Sequence, residues 1–125
     1  MSEALNWNDV RDLARRVSEG ETFSLTDEVR AILRRTAPQV AIPPDAAEQA
    51  LQQEASAAAL LDEIARRIRD GSRRLSRTLA GVDRLQSAGD VEGARKLLRE
   101  VLAVEVVPHY RRITQTHLDA LDDEP

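Results

Sequence analysis

Leu61, Ile64, Ile68, Leu75, Leu79 and Val82 recur at intervals of three, four and seven residues. At about 100° per residue they fall in one arc roughly 60° wide, the apolar stripe of an α-helix. A strand, whose side chains alternate every second residue, cannot gather these six on one face. The phase of the stripe is the same on both sides of Gly71. The spacing therefore predicts one long helix over residues 55–87, in which glycine costs about 1 kcal/mol relative to alanine. A residue that small inside such a stripe implies a closely approaching neighbour.

Ser87-Ala88-Gly89-Asp90 is the strongest turn signal: glycine ends one helix and aspartate caps the next. Val91, Ala94, Leu97, Leu98, Val101, Leu102 and Val104 or Glu105 then follow in helical phase. Pro108 lacks a backbone donor, so a kink or break is expected between residues 104 and 108. The pattern resumes with Ile113, His117 and Leu121 before an acidic tail, Asp122, Asp123 and Glu124. The back half thus reads as an antiparallel helical hairpin, residues 55–87 and 90–121.

The first third is shorter-ranged. Trp7, Val10, Leu13, Ala14 and Val17 make a one-sided helix, with Asn6 or Asn8 as N-cap and Gly20 past its end. Ser24 or Thr26 caps a second helix, with Asp27 and Glu28 at its positive end and Val29, Ile32 and Leu33 inward. Pro38 is expected to close it, and residues 39–43 to run extended. Pro44 opens an alanine-rich segment in which Ala47, Ala50 and Leu51 are the positions expected to be buried. The fold class expected is all-α and bundle-like. These smaller N-terminal helices pack on the hairpin to make one domain of 125 residues.

Composition agrees and removes several chemistries. Aromatic residues are 2% of the chain (Trp7, Phe23 and Tyr110), which argues against a β-rich fold. With no cysteine there is no disulfide scaffold, thiolate zinc site or cysteine nucleophile. A net charge of −4, from 18 basic and 22 acidic residues, argues against general affinity for nucleic acid or anionic membrane. No apolar run is long enough for a membrane span, and residues 1–7 lack the features of a secretory signal, so a cytoplasmic location is the expectation.

Few residues suggest chemistry. Arg66, Arg67, Arg69, Arg73, Arg74, Arg77 and Arg84 are the densest basic cluster, seven basic against five acidic residues over positions 55–90. Arg66, Arg69, Arg73, Arg77 and Arg84 lie opposite the apolar stripe. They read either as a phosphate-contacting face or as a solvated outer face laced by Asp62–Arg66 and Asp70–Arg74 pairs. Stacking aromatics are missing from it, so the solvated face is preferred. His109 and His117 are too far apart to share a metal, and Pro108 disturbs the Glu105/His109 spacing, so neither metal nor cofactor is expected. A di-iron bundle would need paired Glu-x-x-His motifs, which are missing. No phosphate loop, nucleophile elbow or paired-carboxylate site stands out, and every carboxylate falls on an expected outer face. Tyr110 and the histidines are expected at the edge of the core near the kink, the phenol reaching a backbone partner.

The stripes themselves are more informative. Two rods bury only one stripe each, so a second apolar edge is expected at Leu85, Leu98, Val106 and Val107. The function expected is that of a non-enzymatic interaction module, paired with itself or with another protein. A nucleic-acid-associated regulator using the arginine face is the alternative, and an enzyme or metal protein using Glu105, His109 and Tyr110 a weaker third.

The turn with Gly93-Ala94-Arg95 resembles the second helix of a tetratricopeptide unit, but no second copy follows at that period. A broader resemblance covers essentially the whole chain. WNDVRDLARRV (residues 7–17), FSLTDEVRAILRRTA (23–37), DGSRRLSRTL (70–79) and AGDVEGARKLLREVLAVEVVPHY (88–110) are similar to the DUSAM domain, a myxobacterial paralogous family. VLAVEVVPHYR is the most distinctive block. The resemblance implies a small bacterial cytosolic protein present in many related copies, and brings no activity, cofactor or catalytic residue.

Overall fold

The computed structural model describes residues 5–122, and these form six helices. They are α1 (Asn8–Ser18), α2 (Asp27–Gln39), α3 (Pro44–Ala50), α4 (Glu54–Ser87), α5 (Val91–Val104) and α6 (Pro108–Asp122). No strand occurs among the described residues, so the all-α class stands. The chain groups into two compact units, one up to Arg66 and one from Arg67, with α4 contributing to both. Of the expected acidic tail, Asp123 and Glu124 lie outside the described residues, as do residues 1–4.

In the first unit Val10, Leu13, Leu33, Ala47 and Leu51 are buried as expected, Ala14, Val17, Val29, Ile32 and Ala50 are half-buried, and Ala37, outside the expected pattern, is fully buried. The Trp7 indole N–H donates to Gln39 Oε1 at 3.0 Å, which satisfies the polar edge of an otherwise buried ring. Thr26 caps α2, its hydroxyl oxygen accepting from the Val29 N–H at 3.2 Å. The residue before α1 is Trp7 rather than either asparagine, and Asn6 Oδ1 accepts from the Asn8 N–H at 3.1 Å. Arg34 of α2 pairs with Glu48 of α3, and that hydrogen bond holds the Glu48 carboxyl below the usual carboxylate range.

Pro38 does not close α2; the helix passes through it and ends at Gln39. What stops it is a Schellman turn. The Ile42 N–H donates to Ala37 O at 2.9 Å and the Ala41 N–H to Pro38 O at 3.1 Å. Ala41 sits at the left-handed position with φ 68°. The same pair of bonds ends α1 around Gly20 and α4 around Gly89, where φ is 107° and 82°. Two of three equivalent turns thus use the residue that adopts this conformation freely, and Ala41 carries a Cβ there at a cost of about 1 kcal/mol. Ala41→Gly is expected to stabilise the protein by about 0.5–1 kcal/mol, read by urea denaturation. A loss of stability would contradict the assignment of this turn.

Helix α4 runs unbroken through Gly71, as the phase of its stripe requires. Leu61, Ile64, Ile68, Leu75 and Val82 are buried and Leu79 is half-buried. In the second unit, Val82 packs with Ala94 and Leu98 of α5 and with Leu118 and Leu121 of α6. Gly81 lets the Leu97 side chain approach: a Cβ there would lie 2.9 Å from Leu97 Cδ1. Asp90 caps α5, accepting from the Gly93 N–H at 2.8 Å.

The break foreseen at Pro108 is a full reversal. Glu105, Val106 and Val107 leave the helix, and α6 starts at Pro108. It then folds back along α5, so Arg95 near the start of α5 reaches Leu121 O at 3.1 Å and Asp122 at 2.9 Å near the end of α6. Residues 90–121 are therefore two antiparallel helices. Proline at the first helical position explains the restart, since its missing N–H would be unpaired there in any residue.

Candidate functional site

Among the described residues, the α5–α6 corner is where a charged side chain enters the core. Glu105 is 4% exposed, so the expectation that every carboxylate lies on an outer face is wrong for this residue. It falls four residues after Val101, in phase with the buried side of α5, which turns it inward. Burying a carboxylate is costly unless its oxygens are bonded, and here they are. Glu105 Oε1 accepts from Arg74 NH1 of α4 at 2.9 Å. Oε2 accepts from the main-chain N–H groups of Val106 and Val107, both at 3.0 Å. The side chain thus ties the reversal to α4 and supplies partners to two amides that helix termination leaves open.

Tyr110, in the first turn of α6, completes the arrangement. Its phenol donates to Ile68 O at 3.0 Å, which is the buried backbone partner expected of it. The ring lies against Gly71: a Cβ built there would be 2.4 Å from Tyr110 Cδ2 and 2.8 Å from Glu105 Oε1. Gly71 is therefore the small residue the stripe called for, and Tyr110 is the neighbour it admits. Arg111 closes the other side, donating from NH1 to Leu102 O at 2.6 Å and Glu105 O at 2.9 Å, which occupies carbonyls at the C-terminal end of α5. Thr114 returns its hydroxyl to Tyr110 O at 2.8 Å. No buried side-chain nitrogen or oxygen among the described residues lacks a partner. Chemically the cluster is a saturated latch, with donors and acceptors spent on one another.

The histidines do not join it as ligands. His109 is half-buried with its ring 5.7 Å from that of Tyr110, and His117 is exposed rather than at the core edge. Among the described residues no group of three or more His, Asp or Glu side chains is placed to hold a metal.

The expected apolar edge is corrected at two of its four residues. Leu98 and Val107 are fully buried, because the return of α6 covers the first and the Glu105 latch turns the second inward. Leu85 is half-buried against the Val82–Leu98 cluster. Val106 is exposed, and its companion is Val104; of the two alternatives for the last inner position of α5, Val104 or Glu105, it is Glu105 that is buried.

The basic face is narrowed in the same way. Arg66 pairs with Glu63, and Arg69 lies 3.5 Å from Asp70. Arg74, expected to pair with Asp70, makes its ion pair with Glu105. Arg73, Arg77 and Arg84 are exposed.

These features define an all-helical protein whose second unit is organised by a buried glutamate–arginine pair. The chain belongs to the family described as "Protein of unknown function (DUF2379)", whose model matches residues 5–121. No curated protein and no solved structure matches it. No helix among the described residues is long and apolar enough to cross a membrane.

Proposed function

We propose that this chain is a non-enzymatic helical interaction module that pairs with a second copy of itself through the α5–α6 corner. The observation carrying the reading is the exposure of Val104 (60%) and Val106 (48%), the large hydrophobic side chains left in solvent among the described residues, one on each side of buried Glu105. The corner is held in shape by the Glu105 bonds to residues 106 and 107, so little conformational entropy remains to be lost on binding. A two-fold pairing would set the same valines against each other, and an apolar patch this small favours a weak, reversible contact. We read the DUSAM resemblance and the DUF2379 match as one bacterial family, with the protein at work in the cytoplasm and without a cofactor.

Sedimentation equilibrium tests this. The average mass should rise from 13.9 kDa towards twice that value as concentration goes from about 10 µM to about 1 mM. Val104→Asp with Val106→Asp should hold it at the monomer mass. A wild-type chain that stays monomeric throughout, or a variant that still pairs, overturns the reading.

A further inference from the structure

We propose that Arg73, Arg77 and Arg84 form a contact face for the phosphate backbone of duplex nucleic acid, separate from the valine corner. All three are exposed on α4 within an arc of roughly 40°, and their Cα atoms are spaced by about 6 Å and about 10 Å along the axis. Among the described residues none has a side-chain ion-pair or hydrogen-bond partner, a state shared with Arg99 and Arg112 of the same unit, whereas Arg95 is tied to Glu92 and Asp122. Arg66 and Arg69, on the same side of α4, are likewise engaged with Glu63 and Asp70. The three are therefore charged groups that the fold neither uses nor neutralises.

The residues between and just beyond them suit a phosphate chain. Ser76, Ala80 and Ser87 are exposed on this side of α4 and short, so a backbone can approach closely and hydroxyls can donate to phosphate oxygens. A guanidinium meets phosphate with two parallel bonds, and three in a line track a strand. A protein partner is disfavoured, because the face holds no aromatic or large aliphatic anchor. Single strands are disfavoured too, since α4 carries no aromatic side chain on which a base could stack. From Arg67 to Pro125 basic residues number eleven and acidic residues ten, so this part of the chain is close to neutral and the net charge of −4 is carried by the first unit.

The test is fluorescence anisotropy of a labelled, arbitrary-sequence DNA duplex titrated with the full chain. Three phosphate contacts give a log–log salt slope of about −2.7, so affinity should fall about 500-fold for a tenfold rise in salt. Arg73→Gln, Arg77→Gln and Arg84→Gln together should remove most of the binding and flatten that slope, with helix content unchanged. Arg112→Gln, also exposed, should shift affinity less than about twofold. Val104→Asp with Val106→Asp should leave duplex binding intact, which separates this face from self-association. No anisotropy change at low salt overturns the proposal. So does equal binding by the triple variant, or capture of an acidic polypeptide in place of duplex.

Discussion

Gly71→Ala should destabilise the protein by about 2 kcal/mol, although alanine is the better helix former by about 1 kcal/mol. The new Cβ would stand 2.4 Å and 2.6 Å from Tyr110 ring carbons and 2.8 Å from Glu105 Oε1. The ring has little room to yield, because it is 5% exposed and its phenol is bonded to Ile68 O. Overpacking at so close an approach costs about 3 kcal/mol, and the propensity gain offsets only part of it. Replacing Tyr110 by leucine removes the two ring contacts and leaves the one to Glu105 Oε1, which the propensity gain offsets, so in that background the same Gly71→Ala change should be close to neutral. Chemical denaturation of the four proteins measures the coupling, expected at about 2 kcal/mol. An alanine variant as stable as the parent would show that Tyr110 does not lie over Gly71.

Glu105→Ala should cost about 3 kcal/mol. It leaves Arg74 without its partner and the N–H groups of Val106 and Val107 without acceptors, the second of them buried. Arg74 keeps about a third of its side chain in solvent, at 32%, which sets the loss at the lower end for a broken buried pair. Glu105→Gln should cost less, since its amide oxygen can still accept from the two backbone groups. The damage should be local. Hydrogen exchange should show amides of α6 losing protection while those of α1 and α2 keep theirs. Uniform loss across all six helices, or no loss, would contradict the role given to this carboxylate.

Much of the fold was legible because helix periodicity survives without context. The stripe on α4 announced an unbroken helix, and Gly89-Asp90 announced both its end and the start of α5. Gly71 even announced a close neighbour. The turn at Ala41 was not legible, since nothing marks alanine as a residue with positive φ; there Pro38 drew the attention that belonged three residues later.

The corner was half-legible. Pro108 marked a break, but a proline says only that a helix cannot continue, and the direction taken afterwards depends on Leu118 and Leu121 finding Ala94 and Leu98. Once α6 returns, Leu98 and Val107 are covered and the apolar edge expected there shrinks to Val106 with Val104. The burial of Glu105, one of two alternatives for the last inner position of α5, was not foreseen for a related reason. A carboxylate defaults to solvent, and only its position in phase with Val101, beside a break that frees two amides, could have pointed inward. The arginine face was legible as a cluster. Which members are free depended on Glu63, Asp70 and Glu105 taking Arg66, Arg69 and Arg74.

The second unit depends on α6 folding back so that the Tyr110 ring lies on Gly71. Nuclear Overhauser spectroscopy of the unmodified protein reads that contact directly. Cross-peaks between the Tyr110 ring protons and the Gly71 α-protons are expected, with those α-protons displaced by the ring current. Gly71 α-protons at ordinary helical shifts, with no cross-peak to Tyr110, would contradict it.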